Sequence, residues 1–168
     1  MILVMSDIPL KLPDSRQIQY IDLSQLKISG CAGCFGCWTK TPGRCVIRDD
    51  AVKVYPLIAA ADRVIYVSRV VYGGYDSVMK TMLERAIPVQ QAFIRLVDGE
   101  THHVQRAVAK KQAVIVAYGA QSDREKKVFG SLVARNAKNM NFTDYRIIFT
   151  DEENAGLTAA EEAKRWTE

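Results

Sequence analysis

Cys31-Ala-Gly-Cys34-Phe-Gly-Cys37, followed by Cys45, places four thiols at spacings of two, two and seven residues. Gly30, Gly33, Gly36 and Gly43 are interleaved with them and let the backbone wrap closely. Four soft sulfur ligands suit an iron–sulfur cluster or a structural zinc ion, and three cysteines this close together resemble cluster-binding runs more than paired zinc knuckles. The metal reading therefore expects Cys31, Cys34, Cys37 and Cys45 to hold a 4Fe-4S cluster. Two other readings of the same residues stand beside it. Cys34 and Cys37 could pack as small hydrophobes beside Phe35 and Trp38, with Cys31 and Cys45 as free thiols. One C-x-x-C pair could instead act as a redox dithiol, although no helix start is predicted there to lower a thiol pKa.

All four cysteines lie between residues 31 and 45, unlike a secreted disulfide framework that ties distant segments together. The expected setting is a reducing, cytoplasmic one. His102-His103 follows the turn residues Asp98-Gly99-Glu100, and adjacent histidines on a regular strand point to opposite faces. They read as a solvated hairpin or loop rather than a metal site. Asp49-Asp50 reads as a helix start rather than a catalytic acid and base. No P-loop, G-x-G-x-x-G fingerprint or Ser-His-Asp order points to other chemistry.

These residues need a scaffold, and the hydrophobic pattern supplies one. Ile2 to Met5, Gln17 to Leu23, Arg63 to Ser68, Gln112 to Tyr118 and Tyr145 to Thr150 are short apolar or β-branched runs bounded by turn residues, and are predicted strands. Val64 to Val67 and Ala113 to Ala117 lack polar alternation, as expected of parallel strands covered on both faces. Helical periodicity fills the intervals after Asp50, from Asp76 to Ile87 and after the capping box Ser122-x-x-Glu125, with Thr158-x-x-Glu161 opening a short terminal helix. The segment Gln90 to Lys111 is too long for an ordinary connection and is expected to form a hairpin, lid or oligomer contact.

Alternating strands and helices predict a single α/β domain over 1–168, with a doubly wound, five-stranded parallel sheet in the order 2-1-3-4-5. Ligands in such sheets sit beyond the carboxyl ends of the strands, here at Ser6 onward, Ser68 to Asp76 and Tyr118 to Ser122. The 168 residues carry a net charge of +4 spread along the chain, so no nucleic-acid partner is expected. No apolar run approaches the length that spans a bilayer, and the short apolar start reads as a strand rather than a leader, so no membrane partner is expected either.

The stretch CAGCFGCWTKTPGRCVIRDD (31–50) resembles the cysteine-rich segment of the NADPH-dependent FMN reductase and iron–sulfur flavoprotein branch of the flavodoxin-like superfamily. SRVVYGGYDSVMKTMLER (68–85) is similar to that branch's second flavin loop and following helix, and Tyr118-Gly119 falls where its third flavin loop begins. The resemblance implies that Tyr72, Gly73, Gly74 and Tyr75 approach an isoalloxazine ring, with Tyr118 and Gly119 closing its other side. Glycines would let backbone N–H groups reach ring acceptors, and aromatic faces would stack on the heterocycle. The same residues could equally form a tight turn with core tyrosines. The resemblance further implies FMN as cofactor, NAD(P)H as transient donor, a small-molecule or protein electron acceptor, and a homo-oligomer.

One part of the chain departs from that pattern. The family has a Gly-Ser-Pro turn, a Ser/Thr-rich phosphate loop and a long first helix, where this chain reads Met5-Ser6-Asp7-Ile8-Pro9. Only residues 7–16 separate the first two strands, leaving no room for a full crossover helix. A phosphate is normally gripped by backbone N–H groups at a helix N-terminus, and Asp7 adds a repelling charge there. The expected function is an FMN-dependent NAD(P)H oxidoreductase or electron-transfer flavoprotein whose phosphate site is degraded. The alternative is a non-flavin protein that keeps the fold for cluster electron transfer or subunit assembly.

Overall fold

Strand β1 (Ile2–Ser6) is buried along its whole length, and it is the second strand of the sheet. The computed structural model describes residues 1–168. β1 pairs in parallel with β2 (Ile18–Asp22) on one side and with β3 (Arg63–Val71) on the other. β3 pairs with β7 (Lys111–Tyr118), and β7 with the edge strand β8 (Phe142–Thr150), again in parallel. The order β2-β1-β3-β7-β8 is the predicted flavodoxin-like winding. A two-residue strand β4 (Gly74–Tyr75) folds back antiparallel onto the end of β3.

Alternate residues of the central strands feed two cores, as the pleat requires. Leu3, Met5, Val64, Tyr66, Ala113, Ile115 and Ala117 meet helices α2 (Ala51–Ala60), α3 (Ser77–Glu84) and α4 (Asp123–Asn139). Ile2, Val4, Ile65, Val67, Val114, Val116 and Tyr118 meet α5 (Glu152–Arg165), whose Ala155, Ala159 and Ala163 bring its backbone close to the sheet. The crossover between β1 and β2 contains no helix, as its length predicts. Ile8, Leu10 and Leu12 of that connection pack against the α5 core, doing the covering that a first helix would do.

The helix ends follow the capping chemistry. Asp76 accepts from the N–H groups of Val78 (2.8 Å) and Met79 (3.2 Å), starting α3. Ser122 accepts from the Glu125 N–H at 3.2 Å, while the Glu125 carboxylate takes the N–H of Gln121 at 2.7 Å, one residue earlier than in a regular capping box.

Several boundaries differ from expectation. α3 stops at Glu84, and Pro88 lies in a separate 3-10 turn at Ile87–Val89. The terminal helix begins at Glu152, six residues before Thr158, because Asp151 accepts the Asn154 N–H at 2.8 Å and supplies the cap. The long segment is a hairpin, β5 (Gln90–Val97) and β6 (Glu100–Gln105). Of its histidines His102 is buried rather than solvated, with Nδ1 2.9 Å from Asn139 Oδ1 and Nε2 3.1 Å from Glu100, while the half-buried His103 packs its ring 4.7 Å from that of Trp38. No helix is long and apolar enough to cross a membrane.

Candidate functional site

Two places in this scaffold collect the residues that could do chemistry: the carboxyl ends of the strands, and the loop between β2 and α2. At the first, Asp7 follows β1 directly, and its carboxylate accepts from the Arg69 backbone N–H at 2.7 Å and from the Tyr118 hydroxyl at 3.0 Å. Burial pushes the Asp7 carboxyl above the ordinary aspartate range, opposed by those two hydrogen bonds. Burial, then the neighbouring Asp7, pushes the Tyr118 phenol up as well. The Arg69 side chain lies over the Tyr118 ring, its guanidinium carbon 5.4 Å from the centroid, and pairs with Glu152.

This network occupies the ground where the sequence expects a phosphate. The Asp7 N–H is spent on Val67 O (3.2 Å) and the Leu10 N–H on the Tyr20 hydroxyl (2.8 Å), while the Ser6 hydroxyl donates to Ile8 O. Pro9 has no N–H to offer. A carboxylate and inward-turned donors do not fit the phosphate of FMN.

The ring loops are placed as follows. Tyr72 is 93% exposed in the left-handed region (φ 50°), and Gly73 beside it has φ 76°. A Cβ on Gly73 would stand 2.7 Å from Val128 Cγ1, so α4 sits directly against this turn. Gly119 has φ 75° and is backed by the Arg69 side chain, 3.3 Å from where its Cβ would be. Tyr75 and Tyr118 are buried, Tyr75 edge-on to Phe129 with ring centroids 5.0 Å apart. Of the three tyrosines, only Tyr72 presents a free face for stacking. Gly73 is buried and Gly74 half-buried, the latter paired with Val71.

At the second place all four cysteines line one cavity of about 50 Å3, together with Phe35, Trp38, Val46, Ile47 and Ile87. Cys31 and Cys34 are exposed, Cys37 and Cys45 half-buried, and none is in a disulfide. Cys34 is therefore not a packed core residue. Burial, then the nearness of Cys45, pushes the Cys37 thiol above its ordinary value. A short helix α1 (Gly36–Thr39), which the sequence did not predict, carries Cys37 and Trp38, and the Trp38 indole donates to Gln90 O at 3.1 Å. This contact docks the cysteine loop on the hairpin.

The loop is clamped from its other side by Arg85, which caps the end of α3 and is 1% exposed. Its two terminal nitrogens reach the two oxygens of Asp49 at 2.7 and 2.8 Å, and Nη1 also donates to Ser29 O at 2.7 Å. Nη2 lies 3.5 Å from Cys45 Sγ. Against the pull of burial, the bonds from Arg85 and the Ser29 N–H hold the Asp49 carboxyl below its ordinary range. Asp49 does meet the Ala51 N–H (3.2 Å) at the start of α2, as expected, while Asp50 accepts from the Lys27 N–H at 3.0 Å. The sequence reading missed Arg85. The signal was a charge at the place where the apolar face of Val78 and Met82 continues, three residues beyond Met82.

No three His, Cys, Asp or Glu side chains converge tightly enough to hold one metal ion. Zinc would need its thiolates gathered at about 2.3 Å from one point. A cluster spreads its four ligands over separate irons, and the donor set of four thiols around one cavity fits that chemistry.

The chain is similar to an iron–sulfur flavoprotein of Archaeoglobus fulgidus, at 36% identity over 72 residues that make 43% of this chain and 32% of that protein. It is similar to another from Methanocaldococcus jannaschii, at 30% identity over 77 residues, 46% of this chain and 39% of the other. The matched stretch thus spans well under half the length of these curated relatives. Among solved structures, an FMN-dependent NADH-azoreductase of Bacillus anthracis superposes with a TM-score of 0.58 at 12% identity, over 99% of each chain, which shows the shared fold. The family profile of NADPH-dependent FMN reductase matches residues 11–128, which include three of the five parallel strands, the cysteine loop and the turns at Tyr72 and Gly119 but not Asp7, and the chain belongs to that family.

Proposed function

We propose that this protein is a flavin-linked redox protein in which Cys31, Cys34, Cys37 and Cys45 hold a 4Fe-4S cluster. The observation that carries the cluster is the convergence of all four thiols on one mostly apolar cavity whose loop is pinned by the Arg85–Asp49 pair and by Trp38. Family membership and the two iron–sulfur flavoprotein relatives support the flavin. When bound, a cluster supplies one-electron transfer.

The protein's own contribution is positional. Gly33, at φ 62°, and the neighbouring glycines turn the loop so that Cys31, Cys34 and Cys37 face the same cavity as Cys45. Phe35 and Trp38, with ring centroids 5.5 Å apart, form an apolar part of its wall. At the strand ends, the exposed ring of Tyr72, with the backbone of the Gly73–Gly74 turn and of Gly119, would be the surface offered to a flavin ring. Tyr75 and Tyr118 support these loops from beneath. With the phosphate ground filled by Asp7, the flavin is held through its ring. NAD(P)H is the proposed hydride donor and a small molecule or protein the acceptor, with a homo-oligomer as the working form.

The test is an anaerobic reconstitution followed by iron, sulfide and flavin assays. Iron and sulfide in the native protein, well above a variant with Cys34→Ser and Cys37→Ser, is the expected result. Equal, background amounts in both would sink the cluster, and no binding of FMN or riboflavin would sink the flavin.

A further inference from the structure

We propose that Arg85 tunes the cluster through Cys45, donating a charge-assisted N–H···S bond that raises the cluster's reduction potential; this rests on the four-cysteine cluster reading above. Arg85 is fully enclosed, and each of its terminal nitrogens has an assigned direction. Nη1 is divided between Ser29 O and Asp49 Oδ2, both at 2.7 Å. Nη2 is divided among Asp49 Oδ1 (2.8 Å), Ile47 O (3.3 Å) and Cys45 Sγ (3.5 Å). The fork geometry of a guanidinium is what allows one side chain to hold a carboxylate in two places and still present an N–H to a sulfur.

Holding the loop does not by itself call for that last contact. A buried ion pair is costly to desolvate, and an apolar pair of the same volume fastens two segments at least as well. What an apolar pair cannot do is face a sulfur with a positive charge. A neutral thiol gains little from such a donor, whereas a metal-bound thiolate carries the negative charge that it stabilises. The cavity lining contains no charged side chain; Asp49 offsets much of the guanidinium's charge, so what reaches Cys45 is chiefly the local dipole of the donated Nη2–H. Adding an electron makes the cluster and its thiolates more negative. A cation and a donated N–H at one ligand sulfur therefore favour the reduced form.

The contact is also selective. Among the four cysteines, Arg85 touches only Cys45, the ligand separated from the others by seven residues. Cys31, Cys34 and Cys37 are placed by the glycine-rich loop, while Cys45 is referred to helix α3 through this one side chain.

The test compares wild type, R85K and the neutral pair R85Q/D49N, each reconstituted anaerobically with iron and sulfide and titrated with dithionite against mediator dyes. R85K keeps the charge but loses the fork, and the double variant keeps an amide pair in place of the ions, so that one of the two is expected to load even if the other folds poorly. With iron and sulfide per chain equal to wild type, the midpoint potential should be lower in both variants, because each loses the charge-assisted Nη2–H at Cys45. The same change made in a C45S background should shift the potential much less. An unchanged potential in any loaded variant would overturn the proposal and leave Arg85 a structural clamp. Wild type without iron or sulfide would instead overturn the cluster reading itself.

Discussion

Tyr118 donates its hydroxyl to Asp7 Oδ1 at 3.0 Å, joining the last residue of β7 to the residue that follows β1. The bond places an internal carboxylate where the two strands end, with the Arg69 N–H as its second donor. An anion brought by a ligand would have to displace it. Each charge-assisted hydrogen bond to a phosphate is worth roughly 1.5–3 kcal/mol, so an intact cradle separates FMN from riboflavin by well over tenfold. Here the two flavins should bind within about threefold of each other. Asp7→Ser frees both donors and removes the charge, and should restore a preference for FMN of roughly tenfold. Titration with fluorescence quenching reads both ratios, and a strong FMN preference in the native protein would refute the filled-site reading.

The Gly73 turn makes a second prediction. Gly73→Ala puts a Cβ at φ 76° and 2.7 Å from Val128, which should cost about 2–4 kcal/mol of stability. Val128 is half-exposed, so Val128→Ala alone should be nearly silent. In the double variant Val128 Cγ1 is gone but its Cβ, 2.8 Å from the added methyl, stays, so only part of the steric loss returns and about 2 kcal/mol remains lost. Urea unfolding of the three variants measures the cycle, and an additive result would show that the two residues do not meet.

Lys111 gives the pH dependence. Its side chain is 1% exposed, its ammonium donates to Ala109 O at 2.6 Å, and burial pushes its pKa down to about 8. The unfolded chain therefore holds this proton at pH values where the folded one has released it, so stability rises with pH from about 8 towards the ordinary lysine value. The gain should be about 2–3 kcal/mol and absent in Lys111→Met. Near pH 10 the trend reverses, because burial raises the phenols of Tyr66 and Tyr75 and the unfolded state loses those protons first. Denaturation midpoints from pH 7 to 11 decide it; a monotonic fall across that range would contradict the assignment.

Strand order, the missing crossover helix and the hairpin were legible because each rests on local pattern: unbroken apolar runs at Val64 to Val67 and Ala113 to Ala117, a ten-residue gap after Ser6, and a segment too long for a turn. The four cysteines were legible from spacing. Asp7 was legible as an obstacle, but not as a partner of Tyr118, a contact across 111 positions that no local pattern encodes. Arg85 with Asp49, and Trp38 with Gln90, are likewise tertiary pairings. The start of α5 was misplaced because two capping signals compete there, and the earlier one, Asp151, already closes the first turn.

The helix-free crossover between β1 and β2 bears on the order in which the molecule lets go. β2 is an edge strand with a single ladder, to β1, and none of its residues is fully buried. Such a unit opens at low free energy, ahead of strands enclosed on both sides. The amides of Ile18 to Asp22 should therefore exchange with solvent deuterium orders of magnitude faster than those of Val64 to Val67, as mass spectrometry of peptic fragments would show. The cysteine loop is insulated from this opening, because the Arg85–Asp49 pair holds both Ser29 before its first thiol and Cys45 at its last. The edge strand can therefore open while the loop that carries the four thiols keeps its shape.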